Sequence, residues 1–160
     1  MAAERSRAAA PLTGGCQCGR VRYRVDGTPT ESSVCHCRMC QKAHGAPAVA
    51  FLTVRRDQLE WTRGAPAIYR SSDVAVRTFC RDCGTPLTFR LVAEPAVDVA
   101  TATLDDPAAV PPDRQFGIEG KVPWFDTIHT LPGRTAGECP TSHQHPDHDT
   151  ETWPPEDTDP

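Results

Sequence analysis

Seven of the chain's eight cysteines fall into three tight clusters: Cys16-x-Cys18, Cys35-x-Cys37-x-x-Cys40 and Cys80-x-x-Cys83. At these spacings neighbouring thiolates can converge on one soft cation. Four sulfurs close a tetrahedral zinc site, whereas three leave a coordination position open. Two pairs and one triplet therefore predict two zinc ions per chain, one closed and one reactive. Cys16, Cys18, Cys80 and Cys83 form the candidate structural set. Glycine follows each pair directly (Gly19, Gly84), which tolerates a tight turn and lets backbone N–H groups face the sulfurs. The pairs lie far apart in sequence, so one metal would staple the first hairpin to the strand beginning near Thr85. Such a site contributes folding free energy on the order of 10 kcal/mol gross.

The triplet Cys35-His36-Cys37-Arg38-Met39-Cys40 supplies three thiolates within six residues. His36 lies between two ligands and is expected to point away. His44 is placed to complete a closed three-cysteine, one-histidine site; the other reading leaves the fourth position to water or an incoming thiol. Zinc there would lower the pKa of the bound group and polarise a carbonyl or hemithioacetal oxygen, and a bound thiol would become a thiolate. This is chemistry for making or breaking a carbon–sulfur bond beside a hydroxyl, with the proton-transfer group not identified. Two other uses of the thiols stay open. An iron–sulfur cluster takes the same ligands but at other usual spacings. A disulfide frame would need bridges between clusters, because adjacent Cys-x-Cys pairs suit one another poorly. Eight cysteines with no export signal point to a reducing, cytoplasmic setting.

The remaining polar residues carry less information. Arg38 and Lys42 flank the triplet and could attract an anionic substrate or be solvated surface charges. Arg77 lies in a strand leading to Cys80. Asp105-Asp106-Pro107 has the form of a turn or N-cap, and Trp124-Phe125 reads as core. Cys139 belongs to no cluster, and His143, His145 and His148 sit in a polar segment.

Composition divides the chain into three parts. Residues 1–10 are rich in Ala and Arg and lack the apolar run of a secretory signal. Residues 11–134 form one expected domain. Residues 135–160 hold seven acids and no Lys or Arg, and read as an acidic disordered tail. The overall charge of −4 conceals this split, since residues 11–134 carry 15 Lys and Arg against 13 Asp and Glu. Seven thiolates holding two divalent ions would bring that domain to about −1. That is not the basic footprint of a nucleic-acid binder, and no Lys/Arg run suits a membrane surface.

The elements needed to position the cysteines are short strands and turns. Arg20 to Val25 alternates charged and apolar residues, as a half-buried strand does. Ser33 to Cys35 ends a second strand and delivers the triplet to a loop. Arg38 to Ala43 suits one helical turn, stopped by Gly45 and Pro47. Ala48–Val54, Leu59–Thr62, Ala67–Ser71, Ala75–Phe79, Pro86–Val92, Val97–Thr103 and Gln115–Ile118 read as further strands. The expected class is all-β, a sandwich of short antiparallel strands.

Taken together, Gly14-Gly15-Cys16-Gln17-Cys18-Gly19, Cys35-His36-Cys37-Arg38-Met39-Cys40, Phe79-Cys80-Arg81-Asp82-Cys83-Gly84, Thr103-Leu104-Asp105-Asp106-Pro107 and Trp124-Phe125 resemble the glutathione-dependent formaldehyde-activating enzyme family, which also contains centromere protein V. The resemblance spans nearly all of Leu12 to Pro132. It implies a tent-like β-sandwich, with Cys16, Cys18, Cys80 and Cys83 as structural zinc ligands and Cys35, Cys37 and Cys40 as ligands of a catalytic zinc. It implies a carbon–sulfur lyase-type activity joining formaldehyde to a small thiol such as glutathione. The rivals are a non-catalytic zinc-stabilised binding module, to which basic extensions would be suited, and a thiol-based redox or metal sensor.

Overall fold

A computed structural model describes residues 10–137 and 144–152. The readings made for residues 1–9, for Cys139 and His143, and for 153–160 lie outside the described residues. Among the described residues, ten strands form two sheets. β1 (Leu12–Gly15), β2 (Arg22–Val25) and β5 (Leu59–Arg63) make a small antiparallel sheet in the order β1-β2-β5. The larger sheet is built from β3 (Glu31–Cys35), β4 (Val49–Arg55), β6 (Ala67–Arg70), β7 (Ala75–Phe79), β8 (Pro86–Leu91), β9 (Ala96–Ala100) and β10 (Arg114–Phe116). Its order is β10-β3-β4-β9-β8-β7-β6, and every pairing is antiparallel except β10 with β3. The protein is all-β in class, as expected; its described residues add one short α-helix, α1 (Arg38–His44), and several 3₁₀ turns.

Alternation along the strands decides what lies between the sheets and what lies outside. In β4, Leu52 and Val54 are fully buried, as are Tyr23 and Val25 of β2, and Val97 and Val99 of β9 join them. These side chains make the core between the sheets. Strand side chains alternate faces, so Phe51 and Thr53 of β4, and Asp98 of β9, project from the opposite face of the large sheet. The register carries this face across six strands: Tyr69 pairs Arg77, Arg77 pairs Phe89, Phe89 pairs Asp98, Asp98 pairs Thr53, and Thr53 pairs Glu31. This transverse row, contributed by segments from Glu31 to Asp98, underlies the site described below.

Several sequence readings change in detail. Leu12–Gly15, not among the strands expected from sequence, pairs with β2 as a strand. Thr101–Thr103 leaves the β9 direction as a 3₁₀ turn. Arg22, expected on an exposed face, is only 3% exposed. Its guanidinium donates to both carboxylate oxygens of Asp105, at 2.8 and 2.6 Å, and to Asp149 at 3.0 and 2.5 Å. Trp124, read as core, is exposed.

Residues 144–152 lie against the folded domain, unlike the solvated tail expected from composition. The His145 N–H donates to the Gln17 carbonyl at 2.7 Å, Arg63 donates to Thr150, and the His145 side chain is buried. Asp105 and Asp149 neutralise Arg22 from two sides, which offsets the cost of taking a cation out of water.

Candidate metal centres and the adjoining cavity

Cys16 and Cys18 occupy the loop from β1 to β2, and Cys80 and Cys83 the loop from β7 to β8. The fold brings the loops together: all four sulfurs lie within 4.8 Å of one another. Cys16 and Cys18 sulfurs are 3.5 Å apart, and those of Cys18 and Cys80 are 3.8 Å apart. Four sulfurs bonded at ~2.3 Å to one tetrahedral zinc would stand ~3.8 Å from each other, so the donor set fits a metal. These separations are also far beyond the ~2.05 Å of a disulfide. The glycines serve the turns. Gly19 (φ 72°) and Gly84 (φ 77°) occupy the left-handed region and donate to the carbonyls of Cys16 and Cys80. The Val21 N–H donates to the Cys16 sulfur at 3.3 Å. Burial alone would raise the Cys83 thiol, but hydrogen bonds from the Thr85 hydroxyl and backbone, and from Cys18, bring it down to about 6.

The triplet forms the second cluster. Cys35 ends β3, Cys37 is the N-cap of α1, and Cys40 lies in its first turn. Sulfur separations are 3.0 Å for Cys35–Cys37 and 3.4 Å for Cys37–Cys40. All three sulfurs lie within 4.8 Å of one another. A small spreading would match tetrahedral bonding distances, so this set too could hold a metal. His36 turns away as its position suggests: it is fully buried, bonded to Gln115 at 3.0 Å and packed edge-on against Phe125. Gln41 fixes the loop by donating to the carbonyls of His36 and Gly120, each at 2.9 Å. A Cβ on Gly120 would stand 2.6 Å from the His36 carbonyl oxygen, so the chain passes under the triplet only because that residue lacks one.

His44 does not join the three sulfurs. Its ring packs edge-on against Phe51, 5.5 Å between centroids, and burial, with the Arg77 charge, lowers its pKa to about 4. A neutral, stacked imidazole is what the last helix turn and β4 produce there. Arg77 takes the place beside the sulfurs instead. It donates through Nη2 to the Cys40 sulfur at 3.4 Å and stacks over Phe89 at 4.7 Å. Burial pushes the Cys40 and Cys35 thiols up, and the Arg77 hydrogen bond works against this at Cys40. At Cys37, burial is outweighed by hydrogen bonds from the neighbouring cysteines and by the Arg77 charge, so its thiol is lowered.

The triplet opens onto a cavity of about 750 Å³ on the outer face of the large sheet. The six-strand row from Tyr69 to Glu31 lines it, together with Met39, Lys42, Val74, Leu91 and Phe116. Asp98 is half-buried in this wall and accepts from the Thr53 hydroxyl at 2.6 Å. Burial raises its pKa, and the Glu31 charge adds to the rise. Glu31 precedes Cys35 by four residues in β3, so the Asp98 end lies ~13 Å along the strands from Cys35. Of the flanking cations, Lys42 reaches the cavity, whereas Arg38 is exposed and bonds Gln41 at 3.2 Å. The lining Phe51, Thr53, Phe89 and Asp98 were not singled out from sequence. The available signal was the polar residue inside an apolar strand, Thr53 after Leu52 and Asp98 between Val97 and Val99.

Two convergent cysteine clusters on an all-β scaffold, one of them bordering a cavity, define a β protein whose sulfur clusters could hold metal ions. Residues 11–119 match the family described as glutathione-dependent formaldehyde-activating enzyme, and the chain belongs to that family. It is 30% identical over 76 residues to a Schizosaccharomyces pombe protein described as an uncharacterized lyase, covering 48% of this chain and 55% of that one. The chain thus spans about half the length of this curated relative. A crystal structure of a Rhodobacter sphaeroides protein aligns with a TM-score of 0.52 at 25% identity, covering 64% of this chain and 98% of that one. No described helix is long and apolar enough to cross a membrane.

Proposed function

We propose that the protein is a zinc-dependent carbon–sulfur lyase-type enzyme that makes and breaks the adduct of a small aldehyde with a low-molecular-weight thiol such as glutathione, in the cytoplasm. The observation that carries this is the placement of Cys35, Cys37 and Cys40 at the floor of a cavity, with His44 stacked on Phe51 rather than beside the sulfurs. Membership in the formaldehyde-activating family supports the same reading.

In this reading Cys16, Cys18, Cys80 and Cys83 hold a structural zinc, and Cys35, Cys37 and Cys40 hold the reactive one. When bound there, zinc supplies Lewis acidity and keeps an incoming thiol as its thiolate at neutral pH. The protein's own residues do the rest. Arg77 sets a positive charge against the Cys40 sulfur and partly offsets three thiolates. Phe51 and Phe89 line the cavity floor and exclude water from the reacting atoms, which strengthens each charge interaction there. In the forward direction the thiolate lone pair forms the C–S bond, the carbonyl π pair moves to oxygen, and oxygen takes up the proton that the thiol released.

A purely scaffolding role for both metals would give no use to a cavity ending on three sulfurs. The test is exchange spectroscopy by NMR on glutathione and formaldehyde with zinc-loaded protein. The reading expects faster interconversion of free thiol and hydroxymethyl adduct. Unchanged exchange, with no thiol binding by calorimetry, refutes it.

A further inference from the structure

The cavity is far larger and more apolar than a one-carbon aldehyde requires. Beyond the three sulfurs its walls are Phe51, Phe89, Leu91, Val74, Tyr69 and Phe116. Four of these stand exposed at the outer rim: Phe116 at 65%, Val74 at 63%, Tyr69 at 58% and Leu91 at 42%. Large apolar side chains grouped on a surface and converging on a cavity mark a ligand groove. On the thiol–aldehyde reading given above, the ligand that reaches the sulfur cluster is one with a sulfur-bearing carbon.

The charges say which half of the adduct fills the groove. Glutathione carries two carboxylates. The cavity offers them Lys42 at the helix and Arg77, which already donates to Cys40. The far wall instead presents Glu31 and Asp98. Placing carboxylates along this groove would desolvate them against apolar walls and acids, which is unfavourable without partners. An anionic thiol is therefore better seated at the helix side, near Lys42, with its sulfur at the triplet. The groove is left to the substituent on the aldehyde carbon.

We infer that this site takes adducts of apolar aldehydes with chains of about six carbons or more, in preference to formaldehyde. The inference rests on the thiol–aldehyde reading given above. The chemistry is unchanged and balanced: the sulfur lone pair forms the C–S bond, the π pair goes to oxygen, and oxygen gains one proton. Only the group attached to that carbon differs, and it gains burial against Phe89 and Leu91. Each methylene moved from water to an apolar wall favours binding, so a partly seated hexyl chain is expected to add at least about tenfold in affinity.

Equilibrium binding reads this without turnover. S-hexylglutathione and S-methylglutathione are titrated calorimetrically into zinc-loaded protein, wild type and Leu91→Glu. The expected result is binding of the hexyl compound at least about tenfold tighter, with the preference lost in Leu91→Glu. Val74→Glu serves if that variant does not fold. Adduct exchange is then compared for glutathione with hexanal, glutathione with formaldehyde, and hexane-1-thiol with formaldehyde. Equal affinity for the two thioethers overturns the inference while leaving the formaldehyde reaction standing. Acceptance of hexane-1-thiol but not hexanal also overturns it, by moving the apolar group to the thiol. If no thiol pair exchanges and neither thioether binds, the thiol–aldehyde reading falls and this inference with it.

Discussion

Asp105→Asn is the perturbation whose cost the structure specifies most closely. The Arg22 side chain is 3% exposed and that of Asp105 12%. Two guanidinium nitrogens meet the two carboxylate oxygens, and the Thr13 hydroxyl donates to one of them at 2.5 Å. Removing one member of a buried pair leaves the other charge uncompensated and costs ~3–5 kcal/mol. Asp149 remains as a second partner to Arg22, so the lower end, ~3 kcal/mol, is expected. For a domain of this size that is a fall of roughly 10 °C in melting temperature. Asp149→Asn is the internal control. Its carboxylate is 53% exposed, and screening by water limits its loss to under ~1 kcal/mol. The assay is thermal unfolding by circular dichroism of zinc-loaded protein at neutral pH. Burial pushes the Asp105 carboxyl up, but Arg22 and Thr13 hold it below its ordinary value. A depressed folded pKa contributes stability that is present above the unfolded value of ~3.9 and lost as pH falls through the folded one. The gap between wild type and Asp105→Asn should therefore be full at neutral pH and close below about pH 4. A variant within ~1 kcal/mol of wild type, or no worse than Asp149→Asn, would refute the account of Arg22 as a buried cation held by this pair.

Other outcomes follow from the same geometry. Zinc per chain, measured by atomic spectroscopy, should fall from two to one in a Cys35→Ser, Cys37→Ser, Cys40→Ser variant that keeps its β-sheet spectrum, whereas Cys16→Ser with Cys18→Ser should lose the fold; equal effects would remove the division of roles. Arg77→Gln should weaken zinc retention by the triplet ~10- to 100-fold in chelator competition while leaving the four-cysteine site unaffected. Asp98 behaves oppositely to Asp105, because burial raises its carboxyl. Its contribution to stability therefore diminishes as pH rises through its unfolded and then its folded value. Asp98→Asn keeps the acceptor for Thr53 and should melt at or above the wild-type temperature at pH 7, with the advantage gone near pH 3; a lower melting point at pH 7 would contradict the desolvation argument.

The seven clustered cysteines were legible because chelation by near neighbours is a local property: two or three residues of separation already limit where sulfurs can go. Strands were legible for a similar reason, since alternation of period two is written in consecutive residues such as Arg20-Val21-Arg22-Tyr23-Arg24-Val25. The pairing of Cys16 and Cys18 with Cys80 and Cys83 was inferred from matching glycine turns, and the fold brings these sulfurs together. What stayed hidden depends on which strands become neighbours. The row from Tyr69 to Glu31 exists only because β6, β7, β8, β9, β4 and β3 lie side by side in that order, and no local pattern encodes that order. The same holds for His44, whose spacing suited a ligand but whose ring the helix direction sends against Phe51. It holds also for Arg22, which alternation placed in solvent until Asp105 and Asp149 arrived from distant segments to neutralise it. Residue type and short spacing set which atoms can bind a metal; long-range strand order and the burial it brings decide which cavity that metal would face.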